Sequence, residues 1–360
     1  MKFPNIYEFK HYKLFVIVPV LLILVSLVFF VPKIPQGIDL KGGQLITIFT
    51  DQDISSQQIS AALAEFNPSS VRAFNSPSGK GFEIELPSDE KLSRGEQLLG
   101  EVNSLDQKLV ELEIAQSPLA GETREQVSAK AKDLAELASP GVELTGDAHG
   151  QVKQAQEAFL NARSAYRQKI SDTLSKTVSI TQSSFKEVGS SLSKFFFAKI
   201  QEVILYSFIL SAVIIFLVFR SFVPSVAVIF GAAADVIITA GVMGLLGIPL
   251  TLASVAALLM LIGFSLDTDV MLTARVLRKR EGTPEDRIFG AMKTGFMMNF
   301  TTIAAFGVLS VLAFFLQIPV YYEIGMVAVI GAFADFIATW MGNAVMIFWY
   351  AKKQEHKHAQ

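Results

Sequence analysis

Six stretches of this chain are apolar enough and long enough to cross a bilayer, and that limits its fold more than anything else in the sequence: residues 14–31, 200–219, 222–246, 250–274, 296–316 and 320–350. A helix needs about 20 mostly apolar residues to traverse ~30 Å of hydrocarbon, where each backbone amide must find its partner inside the segment. The last stretch is longer than one crossing requires, so it tilts or emerges along the interface. Hydrophobic residues make up 51% of the chain, and nearly all of the 18% that are charged lie between the six stretches. That distribution excludes a soluble globular fold.

Orientation follows from Lys and Arg in the short loops. Thirteen of them flank the spans on one side: Lys2, Lys10, Lys13, Arg220, Arg275, Arg278, Lys279, Arg280, Arg287, Lys293, Lys352, Lys353 and Lys357. The opposite turns, 247–249 and 317–319, carry none. Residues 1–13 and 351–360 are therefore expected in the cytoplasm and residues 32–199 outside it, in a multi-pass protein of the cell membrane. The first span ends in Val28-Phe29-Phe30-Val31, which lacks the small residues that signal cleavage needs, and it is expected to remain as an anchor.

Cysteine is absent, which removes disulfides and thiolate sites. The four histidines form no metal constellation, since His11, His356 and His358 are terminal and His149 falls in a polar turn. No phosphate-binding glycine loop or Ser/His/Asp grouping appears in residues 32–199, so neither a metal, a cofactor, a soluble catalytic centre nor a nucleic-acid partner is expected.

The 32–199 region opens with Gly37-Ile38-Asp39-Leu40-Lys41-Gly42-Gly43 and then a β-branched run, 44–50, that reads as a strand. A short helix over 55–66 follows, then two strands, 71–75 and 81–86, joined by the turn signal Ser76-Pro77-Ser78-Gly79. A fourth strand is expected at 177–181. Between lies a polar, helical stretch, 88–176. Leu98, Val102, Leu105, Leu109 and Leu112 form one heptad seam, and Val152, Ala155, Phe159, Ala162 and Tyr166 form another. The reading is an antiparallel helical hairpin with a third helix, 123–138, started by a capping box of Thr123 and Gln126. Amphipathic helices that merely cover the small sheet would show the same pattern. Either way this region is α+β.

Four carboxylates fall inside the spans: Asp235, Asp267, Asp269 and Asp335. A charge there costs several kcal/mol, so such groups face the bundle interior and commonly mark ion pathways. Asp235 and Asp335 come near mid-membrane, and the acids can share one polar cluster. Burial disfavours the charged form of a carboxylate and a second carboxylate disfavours it further, so a buried group of this kind can take up a proton. Asn299, Thr301 and Thr302 lie at a comparable depth as neutral hydrogen-bond partners, and Thr268 stands between two of the acids. The competing reading is that the acids are structural hydrogen-bonding glue between helices. Asp267 and Asp269 are two residues apart, about 200° around a helix, so they cannot face the same partner. Glu323 and Arg275, at span ends, read as interfacial anchors. Gly231, Ala232, Ala233, Ala234, Gly241, Gly244, Ala253, Ala256, Ala257 and Gly263 permit close helix contact.

Three separated motifs resemble one family. They are Gly37–Gly43, the run VGSSLSKFFFAKIQEVILYSFILSAVIIFLVFRSF entering the second span, and GFSLDTDVMLTARVLRKREG around Asp267 and Asp269. Together they resemble the SecF branch of the SecD/SecF protein-export family, in its archaeal form. The resemblance implies a six-helix half of the resistance-nodulation-division type with a ferredoxin-like βαββαβ domain, about 37–87 and 177–190, outside the membrane. It implies a SecD-like subunit as the other half, contact with the Sec translocon channel, an unfolded exported polypeptide as client, and membrane lipid around the spans. It also implies ion-driven movement, proton or sodium, through the membrane acids. Asp267 matches the fourth-span acid of the SecD-like pattern and is the expected principal ion-binding group, with Asp269, Asp235 and Asp335 in support. The bacterial SecF pattern puts its acid one position later, at Thr268. Gly37, Asp39, Gly42 and Gly43 match the family motif. Where bacterial relatives have an arginine at the start of the fifth span, this chain reads Lys293-Thr294-Gly295, and stretch 88–176 stands in place of one short helix, as a docking arm.

Two other readings fit the acids less well. A proton-driven lipid or small-molecule exporter of the same superfamily would usually carry both halves on one chain. An intramembrane aspartyl protease would need glycine beside its acid, where this chain has Leu266 before Asp267. The orientation is open to a direct test, because a cysteine-free chain accepts single cysteine labels. Cysteines at Ser139 and Ser56 should react with an impermeant reagent from outside and one at Gln354 should not; external labelling of Gln354 would reverse the topology.

Overall fold

The computed structural model describes residues 6–9, 11–76, 79–278, 282–316 and 318–358. Lys2, Lys10, Lys279 and Arg280 of the orientation argument lie outside those residues, as do Pro77 and Ser78 of the expected turn and Gln317. The chain divides into two compact units, Ile38–Phe196, and Met1–Gly37 with Phe197–Gln360.

The first of these is built on a four-stranded antiparallel sheet: β1 Gly43–Thr50, β2 Ser70–Ser76, β3 Gly79–Leu86 and β4 Gln182–Val188, in the order β2-β3-β1-β4. Helix α1, Ser56–Ala62, starts on a capping box in which Ser55 and Gln58 satisfy each other's backbone amides. It lays Ile59 and Leu63 on the sheet face formed by Ile46, Ile48, Phe82, Ile84 and Leu86. The motif that opens the unit is structural here. Gly42 and Gly43 take φ of 77° and 128°, which a side chain would strain, and a Cβ on Gly43 would collide with the Leu86 carbonyl. Asp39 is buried and paired with Lys186 on β4 at 2.9 Å.

The fourth strand lies five residues beyond the expected 177–181. Thr177 instead closes a long helix, Val178 is buried as its cap, and β4 pairs Gln182 through Val188 with Phe49 through Gly43. As an edge strand β4 leaves Gln182, Ser183 and Ser184 exposed, so it lacks the apolar alternation that marks β1 and β3.

Three helices fill the stretch between β3 and β4: α2 Glu90–Ile114, α3 Ala120–Ala138 and α4 Ala148–Thr177. They share a core of their own, Val102 and Leu109 from α2, Val127, Ala131 and Leu134 from α3, and Val152, Ala155 and Phe159 from α4. The C-terminal half of α4 turns Ile170 and Leu174 onto the sheet. Helix α4 thus belongs both to the helical arm and to the cover of the sheet. The expected capping box on α3 does not form: the helix starts at Ala120, and Thr123 sits one turn inside, donating to the Leu119 carbonyl at 3.0 Å. The turn at Ser117-Pro118 brings the chain to the helix start, where the Ala120 amide donates to the Ser117 carbonyl at 3.1 Å.

His149 lies in the first turn of α4 rather than in a polar turn. Its Nε2 meets Glu113 Oε2 at 3.2 Å and its Nδ1 meets Asp106 Oδ1 at 2.6 Å, while Arg124 from α3 holds Glu113 Oε1 at 2.7 Å. Hydrogen bonds that the imidazole donates to Glu113 and then to Asp106 raise it above its ordinary 6.5. Its stabilisation of the arm is therefore complete below that value and is lost as pH rises through the raised one. The Arg124 and His149 hydrogen bonds lower Glu113 below its ordinary 4.5, so its contribution is lost only in stronger acid. Hydrogen exchange across α2 and α4, corrected for intrinsic rate, should show protection falling as pH rises from the ordinary imidazole value through the raised one. His149→Gln should abolish that fall; the same fall in the variant would remove His149 as its cause.

In the other unit, six helices among the described residues are long and apolar enough to cross a membrane: Tyr12–Lys33, Leu192–Phe219, Phe222–Leu246, Leu252–Arg278, Pro284–Leu316 and Pro319–Glu355, spans one to six. Spans three, four and six are about half buried (56%, 50% and 56%), against 11%, 6% and 17% for spans one, two and five. The inner three meet closely because glycines stand at the contacts. A Cβ on Gly231 of span three would strike Asp269 of span four, and one on Gly331 of span six would strike Leu261 of span four. Span six is not a regular α-helix. Ala338–Asn343 widens to π geometry, and the Trp340 carbonyl there accepts a 2.8 Å hydrogen bond from the buried Tyr7 hydroxyl.

Candidate functional site

Three of the four membrane acids point into the contact between spans three, four and six. In span four the buried face runs through Leu261, Ser265, Thr268, Asp269, Leu272 and Val276, at helical spacing. Asp269 falls on that face at 0% exposure, whereas Asp267, two residues earlier, falls on the opposite, exposed face. Asp235 from span three is 0% exposed and Asp335 from span six 3%. The flanking Ala232, Ala234, Ala332 and Ala334 keep these backbones close enough for the side chains to meet.

The carboxyls are joined through short polar side chains. Ser265 Oγ donates to Asp235 Oδ2. Asn299 of span five donates from Nδ2 to Asp335 Oδ2 at 2.6 Å. Thr339, in the π segment, has its Oγ1 2.9 Å from Asp269 Oδ1 and 2.8 Å from Asp335 Oδ1. Asp335 also abuts the Asp235 carboxyl. The Asp269 Oδ2 edge lies against Gly231, where any Cβ would collide with it. Among the described residues no donor reaches Asp269 Oδ2 or Asp235 Oδ1, and no Lys or Arg comes within ion-pair distance of the three acids. The Asn343 amide and the Thr239 and Thr273 hydroxyls are buried with no hydrogen-bond partner among the described residues.

The other expected residues lie outside this network. Thr268 is buried and donates to the Phe264 carbonyl, while Thr301 and Thr302 both donate to the Met298 carbonyl. These hydroxyls satisfy their own helices. Gly263 is exposed with nothing near it, so it is not one of the close contacts. Gly37 is one: its amide donates to the Leu250 carbonyl at 2.9 Å, and a Cβ there would strike Thr251. Arg275 of span four reaches span five, donating to the Gly290 carbonyl at 2.8 Å and Thr294 Oγ1 at 2.7 Å. At the far end of span four, Thr251 donates to Glu323 Oε2 at 2.5 Å. Sequence reasoning missed Ser265, Thr339 and Asn343. The signal was available, since Ser265 stands four residues before Asp269, and Thr339 and Asn343 four and eight after Asp335.

Residues 168–353, which include spans two to five, all but the end of span six and every acid of this network, match the family model described as protein export membrane protein SecD/SecF, C-terminal. The chain belongs to the SecD/SecF family. Its similar relatives are described as protein-export membrane protein SecF. That of Methanothermobacter thermautotrophicus is 45% identical over 184 residues, 51% of this chain and 63% of the relative. That of Pyrococcus furiosus is 44% identical over 154 residues, 43% of this chain and 51% of the relative. That of Haloferax volcanii is 45% identical over 139 residues, 39% of this chain and 48% of the relative. The chain thus spans about half to under two thirds of these SecF proteins. Among solved structures it resembles SecDF, a translocon-associated membrane protein from Thermus thermophilus, with a TM-score of 0.57 and 15% identity over 96% of this chain and 39% of that one. That likeness shows a shared SecDF fold. A SecD/SecF member with several apolar helices is a multi-pass membrane protein.

Contact at Gly231 is the feature of the site most sensitive to a single atom. Gly231→Val should destabilise the detergent-solubilised protein by about 1–3 kcal/mol, read as a lower melting temperature. Gly263→Val, on the exposed face, should not. Equal melting for both would mean that span three does not press on Asp269.

Proposed function

We propose that this chain is the SecF-like half of a SecD/SecF assembly that uses an ion gradient to assist Sec-dependent export. The observation that carries the reading is the joining of Asp235, Asp269 and Asp335 in one buried cluster, contributed by three spans within the family-matched region. A cluster of carboxyls without a basic partner can bind and release a small cation. Each change of occupancy alters a charge that the surrounding helices must accommodate. Moving one elementary charge through the full potential yields about 2.3 kcal/mol per 100 mV, so a few ions per cycle suffice for a modest movement of an attached domain.

The remaining parts of the reading rest on separate supports. The strand order β2-β3-β1-β4 with intervening helices is that of a ferredoxin-like βαββαβ domain, with the three-helix arm inserted between the third and fourth strands. The Lys and Arg bias favours cytoplasmic termini and an extracytoplasmic place for that domain. A SecD-like partner is supported by the SecDF match, which leaves most of that longer chain uncovered, and by the outward-facing Asp267, which a second six-helix half would cover. The translocon and an unfolded exported polypeptide are the expected further partners. The exporter and protease readings lack any such support.

Asp267→Asn, Asp269→Asn and Asp335→Asn each keep size and hydrogen bonding while removing titration. In membrane vesicles with an imposed ion gradient, Asp269→Asn and Asp335→Asn should assemble normally yet lose gradient-driven export, with Asp267→Asn less affected. Wild-type export by Asp269→Asn and Asp335→Asn would leave the acids as helix glue.

A further inference from the structure

The Thr339 hydroxyl stands between two carboxyl oxygens, 2.9 Å from Asp269 Oδ1 and 2.8 Å from Asp335 Oδ1, yet it has a single hydrogen to give. It can donate to one of them only. The other contact, at hydrogen-bonding distance, is favourable only if that carboxyl itself carries a proton and donates to Thr339 Oγ. We propose that Thr339 is a proton relay that connects Asp335 with Asp269, across the contact between spans six and four. This rests on the reading of the acids as the ion-coupling site.

The transfer conserves atoms and charge. The Asp335 O–H bond breaks as Thr339 Oγ accepts its proton, and the Thr339 O–H bond breaks as Asp269 Oδ1 accepts that one. One proton has then moved from Asp335 to Asp269, the hydroxyl still holds one hydrogen, and the negative charge has passed to Asp335. The Asn299 amide already donates to Asp335 Oδ2 at 2.6 Å, so a donor is in place for the new carboxylate. Rotation of the Thr339 hydroxyl resets the relay. Position 339 is fitted to the task because it lies four residues after Asp335, where the π segment Ala338–Asn343 begins. π-helical turns inside α-helices are frequent at functional sites. Tyr7 holds this segment through the neighbouring Trp340 carbonyl, and the Trp340 ring fills the space that a Cβ on Gly295 would need.

The test is proton flux into vesicles under an imposed gradient, followed by an enclosed pH dye, with the chain purified from its native membrane together with its co-purifying subunits. Thr339→Val is nearly isosteric and lacks the hydroxyl; Thr339→Ser keeps it. The relay predicts flux at least roughly tenfold lower for Thr339→Val and within about twofold of wild type for Thr339→Ser. Wild-type flux in Thr339→Val, with flux lost in Asp269→Asn, would overturn the relay and leave the coupling reading intact. Unchanged flux in Asp269→Asn would overturn the coupling reading. Loss in both Thr339 variants would make the residue structural and also overturn the relay. A measurement on the wild type alone guards against misfolding of the variant: with two protons in flight, flux should depend on deuterium fraction along a curve, and a straight line would contradict the relay.

Discussion

The network between Asp235, Asp269, Asp335 and Thr339 governs how this helical unit is built. Three carboxyls meet with no Lys or Arg among the described residues within ion-pair distance, and Ser265, Asn299 and Thr339 are polar side chains that reach them. Leaving a buried charge unpaired costs several kcal/mol, so on the proposed reading the carboxyls share hydrogens with one another and with the neighbouring hydroxyls. Close approach is the condition for that sharing. It explains why the inner spans are lined with glycine and alanine, and why Gly231 faces the Asp269 carboxyl with no side chain of its own.

The same condition explains the division of labour among the spans. Spans three, four and six carry the acids and are the buried ones, while one, two and five are mostly surface. An outer helix can lose its regular partners on one face only to lipid or to another subunit. The inner helices must satisfy each other, and span six does so by widening to π geometry at the level of Thr339. A helix terminus or a kink elsewhere would not have put a hydroxyl between two acids.

Much of this was legible in the sequence. Apolar runs of helical length fix the number of spans, because a bilayer allows few alternatives, and the acids within them identify where the interior lies. What periodicity could not decide was which neighbour of a pair turns inward. Asp267 and Asp269 lie on opposite faces, and family pattern favoured Asp267, but the buried stripe of span four passes through Ser265, Asp269 and Leu272. Thr339 stands at helical spacing from Asp335, so its contact with that acid was legible, while its contact with Asp269 of span four depends on helix packing that spacing within one span does not describe. In the Ile38–Phe196 unit the edge strand β4 was misplaced for a related reason: its ladder is held by backbone pairing with β1, and its exposed side chains carry no alternation. The early start of α3 likewise depends on the Ser117-Pro118 turn and not on the Thr123 side chain.

If the acids share protons rather than merely hydrogen-bonding as glue, the resting protein contains protonated aspartic acid inside the membrane. Infrared spectroscopy of the reconstituted protein with isotope-labelled aspartate reads this directly through the carbonyl stretch of a protonated carboxyl. The account predicts such a band, resistant to exchange of the outer solvent, that is diminished or shifted by Asp335→Asn and by Asp269→Asn and untouched by Asp267→Asn. A spectrum with no protonated-carboxyl band, or one that responds to Asp267→Asn alone, would contradict it.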